Sequence, residues 1–305
     1  MAKQNVFLTG ASGTIGSAIL DLLISTDAFS VDCLLRRPES GEAIKRAGGC
    51  VVLGDMADDK LFRLLHAKKH YHYIVHTAQA HYGQYTAEEI HRLDLKAVAN
   101  LESIRTEVTK LMVYTSGVWI FGHQEGSILI NESTPLRPFD AAKFRAHLVT
   151  KLLQQTDHPW AQLCPPSFVY GSVGPLIAIA RGMKTAPVEV IDDESIQWSV
   201  IERNDLARAY LSLLQFGGSG EFYVVAEDDP VRVVDFYESV ARYVPGSRTV
   251  RKSYEHFANL MPAHSLETKF ASQPVDSTLL KQKTGWRARE SFMASVSRFL
   301  PAVQY

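Results

Sequence analysis

This sequence predicts an α/β fold: a doubly wound parallel sheet with a smaller lobe toward the C-terminus. Short apolar runs alternate with amphipathic stretches up to about residue 165. A glycine-rich turn, Gly10 to Gly16, joins the first run to the first amphipathic stretch. After Pro165 the alternation loosens into shorter, mixed segments. Apolar strands buried on both faces need helical crossovers to cover them, which is the logic of a parallel sheet.

The expected strands are Val6–Leu8, Val31–Leu35, Cys50–Leu53, Tyr73–His76, Leu111–Tyr114 and Trp160–Cys164. Between them, helical spacing runs over Ile15–Ile24, Ala43–Ala47, Leu61–His66, Glu88–Ile104 and Ala141–Gln155. Asn204-Asp205 is the expected cap of a helix reaching Gln215. Gly217, Gly218 and Gly220 then break the chain before a seventh strand, Phe222–Val225. The expected division is 1–166 with 200–225 as a dinucleotide-binding domain. Segments 167–199 and 226–305 form a discontinuous substrate lobe.

Composition excludes several classes. The formal net charge is −1, so there is no basic footprint for nucleic acid. No apolar run approaches the ~20 residues of a membrane span. No signal peptide fits the strand-like start, Asn5 to Thr9, so a soluble, cytoplasmic protein is expected. Cys33, Cys50 and Cys164 lack a C-x-x-C spacing and are expected as reduced, buried thiols. The chain has eleven histidines, but His70, His72 and His76 lack an acid or cysteine to complete a metal set, so no metal is expected.

The glycine turn carries the first chemistry. Gly10 permits the tight turn, Gly13 clears space for a pyrophosphate, and Gly16 lets helix and strand pack closely. Ser12 lies within this turn, and Thr14, Ile15 and Gly16 open the helix, whose free N–H groups suit an anion. At the end of the second strand, Arg36 and Arg37 stand where an acid would hold the ribose hydroxyl of NAD. Arginine there suits the 2′-phosphate of NADP(H), so NADP(H) is expected over NAD(H). After the third strand, Asp55 can bond the adenine amino group while Met56 packs on its face.

In order along the chain, these pieces resemble the extended short-chain dehydrogenase/reductases, including the NAD-dependent epimerase/dehydratase-like group. The glycine turn resembles that family's TGxxGxxG, and Gly54-Asp55 its acid after the third strand. His76-Thr77-Ala78-Gln79-Ala80 resembles its fourth-strand HxAA. Tyr114 to Gly122 resembles YTSSxxVYG, with Gly117 and Phe121 as substitutions. Asn131 to Leu136, Pro166 to Gly171, Asp205 to Ala209 and Gly285-Trp286 resemble DExTPL, PxxVYG, DDLARA and the late LGW. The resemblance implies a Rossmann domain, with Ala78, Gln79, Ala80, Lys143, Pro166 and Phe168 among the cofactor-binding residues. It also implies a small-molecule substrate and, as one option, a homodimer through the helices 88–104 and 141–155.

The departure is at the centre of the chemistry. Ser116 matches the family serine, but no Tyr-x-x-x-Lys follows. If Lys143 is the motif lysine, Phe139 holds the tyrosine position; if Arg145 replaces it, Ala141 does. The first register keeps a lysine and is preferred. Neither supplies a phenol for proton transfer. The candidate replacements are Tyr82, ahead of Tyr85, His81 and His123, with His147 one helical turn beyond Lys143. Trp119, Phe121, Phe168, Met183 and Trp198 are candidates for an apolar substrate pocket. The leading expectation is an NADP(H)-dependent oxidoreductase on a small carbonyl or alcohol. The alternatives are a non-redox isomerase, lyase or cyclase, and an NmrA-like dinucleotide sensor.

Overall fold

Seven strands build the central sheet in the computed structural model, which describes residues 2–80, 84–126, 128–155 and 159–302. Six of them are β1 (Gln4–Thr9), β2 (Phe29–Leu35), β3 (Cys50–Leu53), β4 (Tyr73–His76), β5 (Leu111–Thr115) and β6 (Trp160–Cys164). The seventh is Phe222–Val224, and the order is Phe222–Val224, β6, β5, β4, β1, β2, β3. β1 pairs in parallel with both β2 and β4, so the strand order reverses beside it. Ligands of doubly wound sheets bind at such a switch point, outside the carboxyl ends of the strands.

The crossovers are α1 (Thr14–Ser25), α2 (Gly41–Arg46), α3 (Asp59–Lys68), α4 (Ala87–Ser103) and α5 (Lys143–Gln154). Side-chain caps start α3 and α4. The Asp58 carboxylate accepts the Lys60 and Leu61 amides at the head of α3. Thr86 and Glu89 form a capping box at the head of α4, each side chain accepting the other's amide. β4 and β5 are wholly buried, as strands covered on both faces must be. Cys33 and Cys164 are buried, but Cys50 is exposed, because it opens an edge strand. That corrects the expectation of three buried thiols.

The chain folds into two compact units. The first holds residues 1–116, 144–163 and 207–222; the second holds 117–143, 164–206 and 223–305. Segments 117–143, 164–166, 200–206 and 223–225, assigned by sequence pattern to the dinucleotide domain, group with the second unit. Among its described residues are short strand pairs: Phe168–Tyr170 with Val200–Glu202, Gln197–Trp198 with Val231–Arg232, and Val188–Ile191 with Thr249–Lys252. Its core gathers Leu176, Met183, Trp198, Phe236, Phe257 and Phe292. A helix expected from Asn204 begins instead at Arg203. Its cap is Glu202, whose carboxylate accepts the Asn204 and Asp205 amides at 2.6 and 3.2 Å.

Candidate functional site

The glycine turn closes as its spacing requires. Gly10 has φ +77°, and a Cβ there would lie 2.5 Å from Thr77 Oγ1. A Cβ on Gly16 would meet Gly10 O at 2.2 Å, so helix and turn touch through it. Gly13 differs. Its φ of −86° suits any residue, and an added Cβ would meet only Gly10 O, at 3.3 Å. The protein's own packing therefore makes little demand for glycine at 13, and open space above it is what the residue preserves. Gly13 caps α1 without a side-chain bond, and the first helical amide to find a carbonyl is that of Ser17. The amides of Thr14, Ile15 and Gly16 thus point outward unpaired, beside a positive dipole end.

A cavity of 360 Å3 opens over this turn, lined by Gly10, Ser12, Gly13, Arg36, Arg37 and Met56 among others. Ala78 and Gln79 line it from the end of β4. Arg36 and Arg37 are exposed and have no ion pair among the described residues. A second cavity of 80 Å3 adjoins, sharing Arg36, Met56, Ala78 and Gln79 and adding Asp55, Ala80, Tyr85 and Asp94. The Asp55 carboxylate already accepts the Ala57 amide at 2.8 Å, which fixes its direction. Asn100 donates to the Met56 carbonyl at 2.7 Å and holds that backbone in turn.

Buried polar side chains stand at the ends of β4 and β5. His76 Nδ1 is 2.7 Å from Thr9 Oγ1, and His76 Nε2 is buried with no partner among the described residues. Burial pulls the His76 pKa down to about 4; the Asp94 charge opposes this and that of Arg145 adds to it. Ser116 donates its amide to the Leu163 carbonyl at 2.9 Å, while its Oγ is buried and has no partner among the described residues. Buried Asp94 accepts from Tyr114 Oη at 3.1 Å and faces the Arg145 guanidinium at 3.5 Å. Arg145 also reaches the Thr115 carbonyl at 3.5 Å and lies 5.9 Å from the Tyr114 ring.

Arg145 is therefore the cation at the end of β5 within the first unit. Lys143, preferred as the motif lysine on residue type, is exposed and paired with Asp140 at 2.6 Å. That carboxylate holds the Lys143 pKa above its ordinary value. Phe139 is buried, and Ala141 is the residue four before Arg145. His123 is exposed, and its Nδ1 accepts the Ser272 amide at 3.0 Å. With that lone pair engaged, its neutral ring carries the proton on Nε2. His147 is exposed, 5.9 Å ring to ring from His91. Tyr82 and His81 lie outside the described residues. Pro166 is buried in the second unit, where Phe168 packs edge-on to Phe236 at 4.6 Å. No group of three or more metal-ligating side chains occurs among the described residues.

Asp94 was missed in the sequence, although a signal was there. It falls in the apolar stripe Ile90, Ala97, Val98, Leu101 of α4, where an acid must find a partner.

A model of the NAD dependent epimerase/dehydratase family matches residues 6–226. No curated protein sequence matches the chain. Among solved structures, the dTDP-glucose 4,6-dehydratase of Bacillus anthracis, in complex with NAD, is 14% identical with a TM-score of 0.80. The match covers 97% of this chain and 95% of that one. The UDP-glucose 4-epimerase of Thermus thermophilus, in complex with NAD, is 20% identical with a TM-score of 0.77, over 98% and 100% of the two chains. The Thermotoga maritima UDP-glucose 4-epimerase, with UDP-glucose, is 16% identical with a TM-score of 0.79, over 97% and 98%. At such identities the likeness is one of fold.

Proposed function

This chain belongs to the NAD dependent epimerase/dehydratase family, and from that premise we propose an NADP(H)-dependent oxidoreductase acting on a small organic carbonyl or alcohol. Its proton donor is not the family's usual tyrosine. The observation that carries the reading is Ser116 Oγ, a buried hydroxyl at the carboxyl end of a sheet strand with no partner among the described residues. A buried hydroxyl left unbonded costs stability, so its retention there favours a ligand oxygen as its partner.

The residues present fit a dinucleotide. The space over Gly13 and the unpaired amides of Thr14 to Gly16 suit a pyrophosphate. Arg36 and Arg37, free of carboxylates, suit a 2′-phosphate, which is the ground for NADP(H) over NAD(H). Asp55 and Met56 suit the adenine edge and face. When bound, the cofactor would supply hydride transfer at C4 of its nicotinamide. Ser116 would donate a hydrogen bond to the substrate oxygen and hold it as its charge changes. Arg145, held by Asp94, would fix the end of β5 from which Ser116 projects. The proton would come from Tyr82, His81, Tyr85, His123 or water, with Tyr82 preferred as the nearest phenol after Ala80. A cytoplasmic setting and a homodimer through α4 and α5 complete the proposal. No helix among the described residues is long and apolar enough to cross a membrane.

The test follows reduced-cofactor absorbance and product together on a panel of carbonyls. Ser116→Ala should lower kcat by about a hundredfold to a thousandfold, the effect of losing one oxyanion donor. Full activity in that variant overturns the reading. Arg36→Ala with Arg37→Ala should weaken NADP(H) by about tenfold or more and leave NAD(H) little changed. Equal affinities for the two cofactors in the unaltered protein would remove the preference. The absence of a phenol at both 139 and 141 favours one second reading, a non-redox isomerase or lyase on this scaffold. Product formed without any deuterium effect from nicotinamide C4 would select it.

A further inference from the structure

The second unit carries a small cleft of which the dinucleotide reading uses only Phe168. Its volume is 160 Å3, and Trp119, Ser167, Phe168, Trp198, Thr268 and Lys269 line it. Phe168 and Trp198 stand nearly parallel, 13° apart, with centroids separated by 6.3 Å. Phe236 meets both edge-on, at 4.6 and 5.6 Å, and fixes them from the core. The indole N–H of Trp119 donates to Ser167 Oγ at 3.1 Å. Ser167 donates to Gln273 Oε1 at 2.7 Å. The Gln273 amide, buried, is anchored on the Val118 and Gly122 carbonyls, each at 2.9 Å. The aromatic walls are therefore preset, and the polar atoms behind them are engaged.

The charge in the lining comes from Lys269 alone. Its ammonium lies over the rings of Phe257 and Phe270, at 5.3 and 5.7 Å, and has no ion pair among the described residues. Burial pulls its pKa below the ordinary value, against the pull of Glu189. Glu189 is itself engaged by His256 at 2.7 Å and Lys252 at 3.7 Å. A half-buried cation with no ion pair among the described residues thus borders an aromatic slot.

We propose that this cleft binds the ring of a small aromatic carboxylate, with Lys269 receiving the carboxylate. Calling that molecule the substrate rests on the proposed function; its binding does not. Size supports one ring: an apolar cavity of about 150 Å3 takes up benzene. Drug-sized ligands occupy pockets of about 300–1,000 Å3, so this cleft of 160 Å3 encloses a single ring and not the whole of a nucleoside diphosphate. Charge agrees, since one lysine balances one carboxylate and leaves a diphosphate unbalanced. Ring edges and faces of Phe168, Trp119 and Trp198 favour an aryl group over an alkyl chain.

The experiment uses the full chain without dinucleotide. Tryptophan fluorescence, with Trp119 and Trp198 in the cleft wall, is titrated with 3-phenylpropanoate, 3-phenylpropan-1-ol, hexanoate and UDP. The acid should bind about tenfold tighter than its alcohol, the effect of one charge-assisted bond. Hexanoate should bind more weakly than 3-phenylpropanoate, and UDP should not saturate. Lys269→Met keeps an apolar stem over Phe257 and Phe270 and removes the charge. It should bring acid and alcohol to parity, with alcohol affinity and far-UV circular dichroism unchanged. The proposal is overturned by equal binding of acid and alcohol, by a preference that survives Lys269→Met, by tighter binding of UDP, or by no saturable change at all. The unaltered protein decides between acid and alcohol even if the variant misfolds. NADP(H) affinity is titrated separately, so failure of the dinucleotide reading leaves this result standing, and the reverse.

Discussion

His76 in the first unit and Glu227 in the second are both buried, and burial disfavours the charged form of each. His76 is pulled down to about 4, and Glu227 is pushed up to about 7. Their surroundings differ. His76 has one ring nitrogen on Thr9 and the other without a partner. Glu227 has both oxygens engaged, by Tyr170 Oη at 2.5 Å and by the Glu202 and Phe292 amides at 3.1 and 2.8 Å. In the first unit, His76 and Ser116 stand at the carboxyl ends of parallel strands, each with a buried polar atom that has no partner among the described residues. In the second unit, Glu227 accepts the Glu202 and Phe292 amides and Gln273 donates to the Val118 and Gly122 carbonyls, so that these side chains tie separate segments together. The contrast is between two groups: His76 keeps an open ring nitrogen at a strand end, whereas Glu227 ties together separate segments of its unit.

Three changes would break or sharpen that contrast. The largest effect belongs to Gly13→Val, whose backbone geometry any residue can adopt. It should cut dinucleotide affinity by well over a hundredfold, with native far-UV circular dichroism, because the side chain occupies the phosphate's place. Undiminished binding by calorimetry would mean that the open amides of α1 serve no ligand.

Next is the pair of cations on α5. Arg145→Ala leaves Asp94 buried without its cation and should destabilise the protein by about 3 kcal/mol in urea melts. Lys143→Ala loses only an exposed pair and should not measurably shift the same melts. Equal shifts would erase the distinction between the two registers.

The smallest and most diagnostic effect is on pH. The His76 ring holds fewer protons folded than unfolded, so its contribution to stability is lost as pH falls from about 6.5 to about 4. Glu227 holds more protons folded than unfolded. Its contribution is lost as pH rises from about 4.5 to about 7. Each shift corresponds to at most about 3 kcal/mol, and across the shared window the two slopes oppose each other. Glu227→Gln should expose the His76 slope, with stability rising with pH between 4.5 and 6.5. His76→Asn should expose the opposite slope. Parallel pH profiles for both variants and the unaltered protein would show that neither shift exists.

Much of the first unit was legible in the chain. Each expected strand of the sheet formed within a residue or two, since an apolar run bounded by turns is a local signal. The phase of α5 is legible in the chain too. Arg145 shares a face with Leu148, Val149 and Leu152, all buried, whereas Lys143 shares one with His147, Thr150 and Lys151, all exposed. Residue type suggested the lysine; helical spacing points to the arginine.

By itself, then, the sequence determined the doubly wound sheet, its order of elements, the glycine turn and the arginines behind it. All of these follow from period and spacing over a few residues. Only the tertiary structure decided that Glu202 rather than Asn204 caps its helix, that Cys50 is exposed, and that 117–143 joins the second unit. It alone brought Asp94, Tyr114 and Arg145 together, and Ser167 onto Gln273 across 106 residues of chain. Those outcomes depend on strand order and helix phase acting at once. They bring residues that are far apart in sequence to one place, and no local pattern records the meeting.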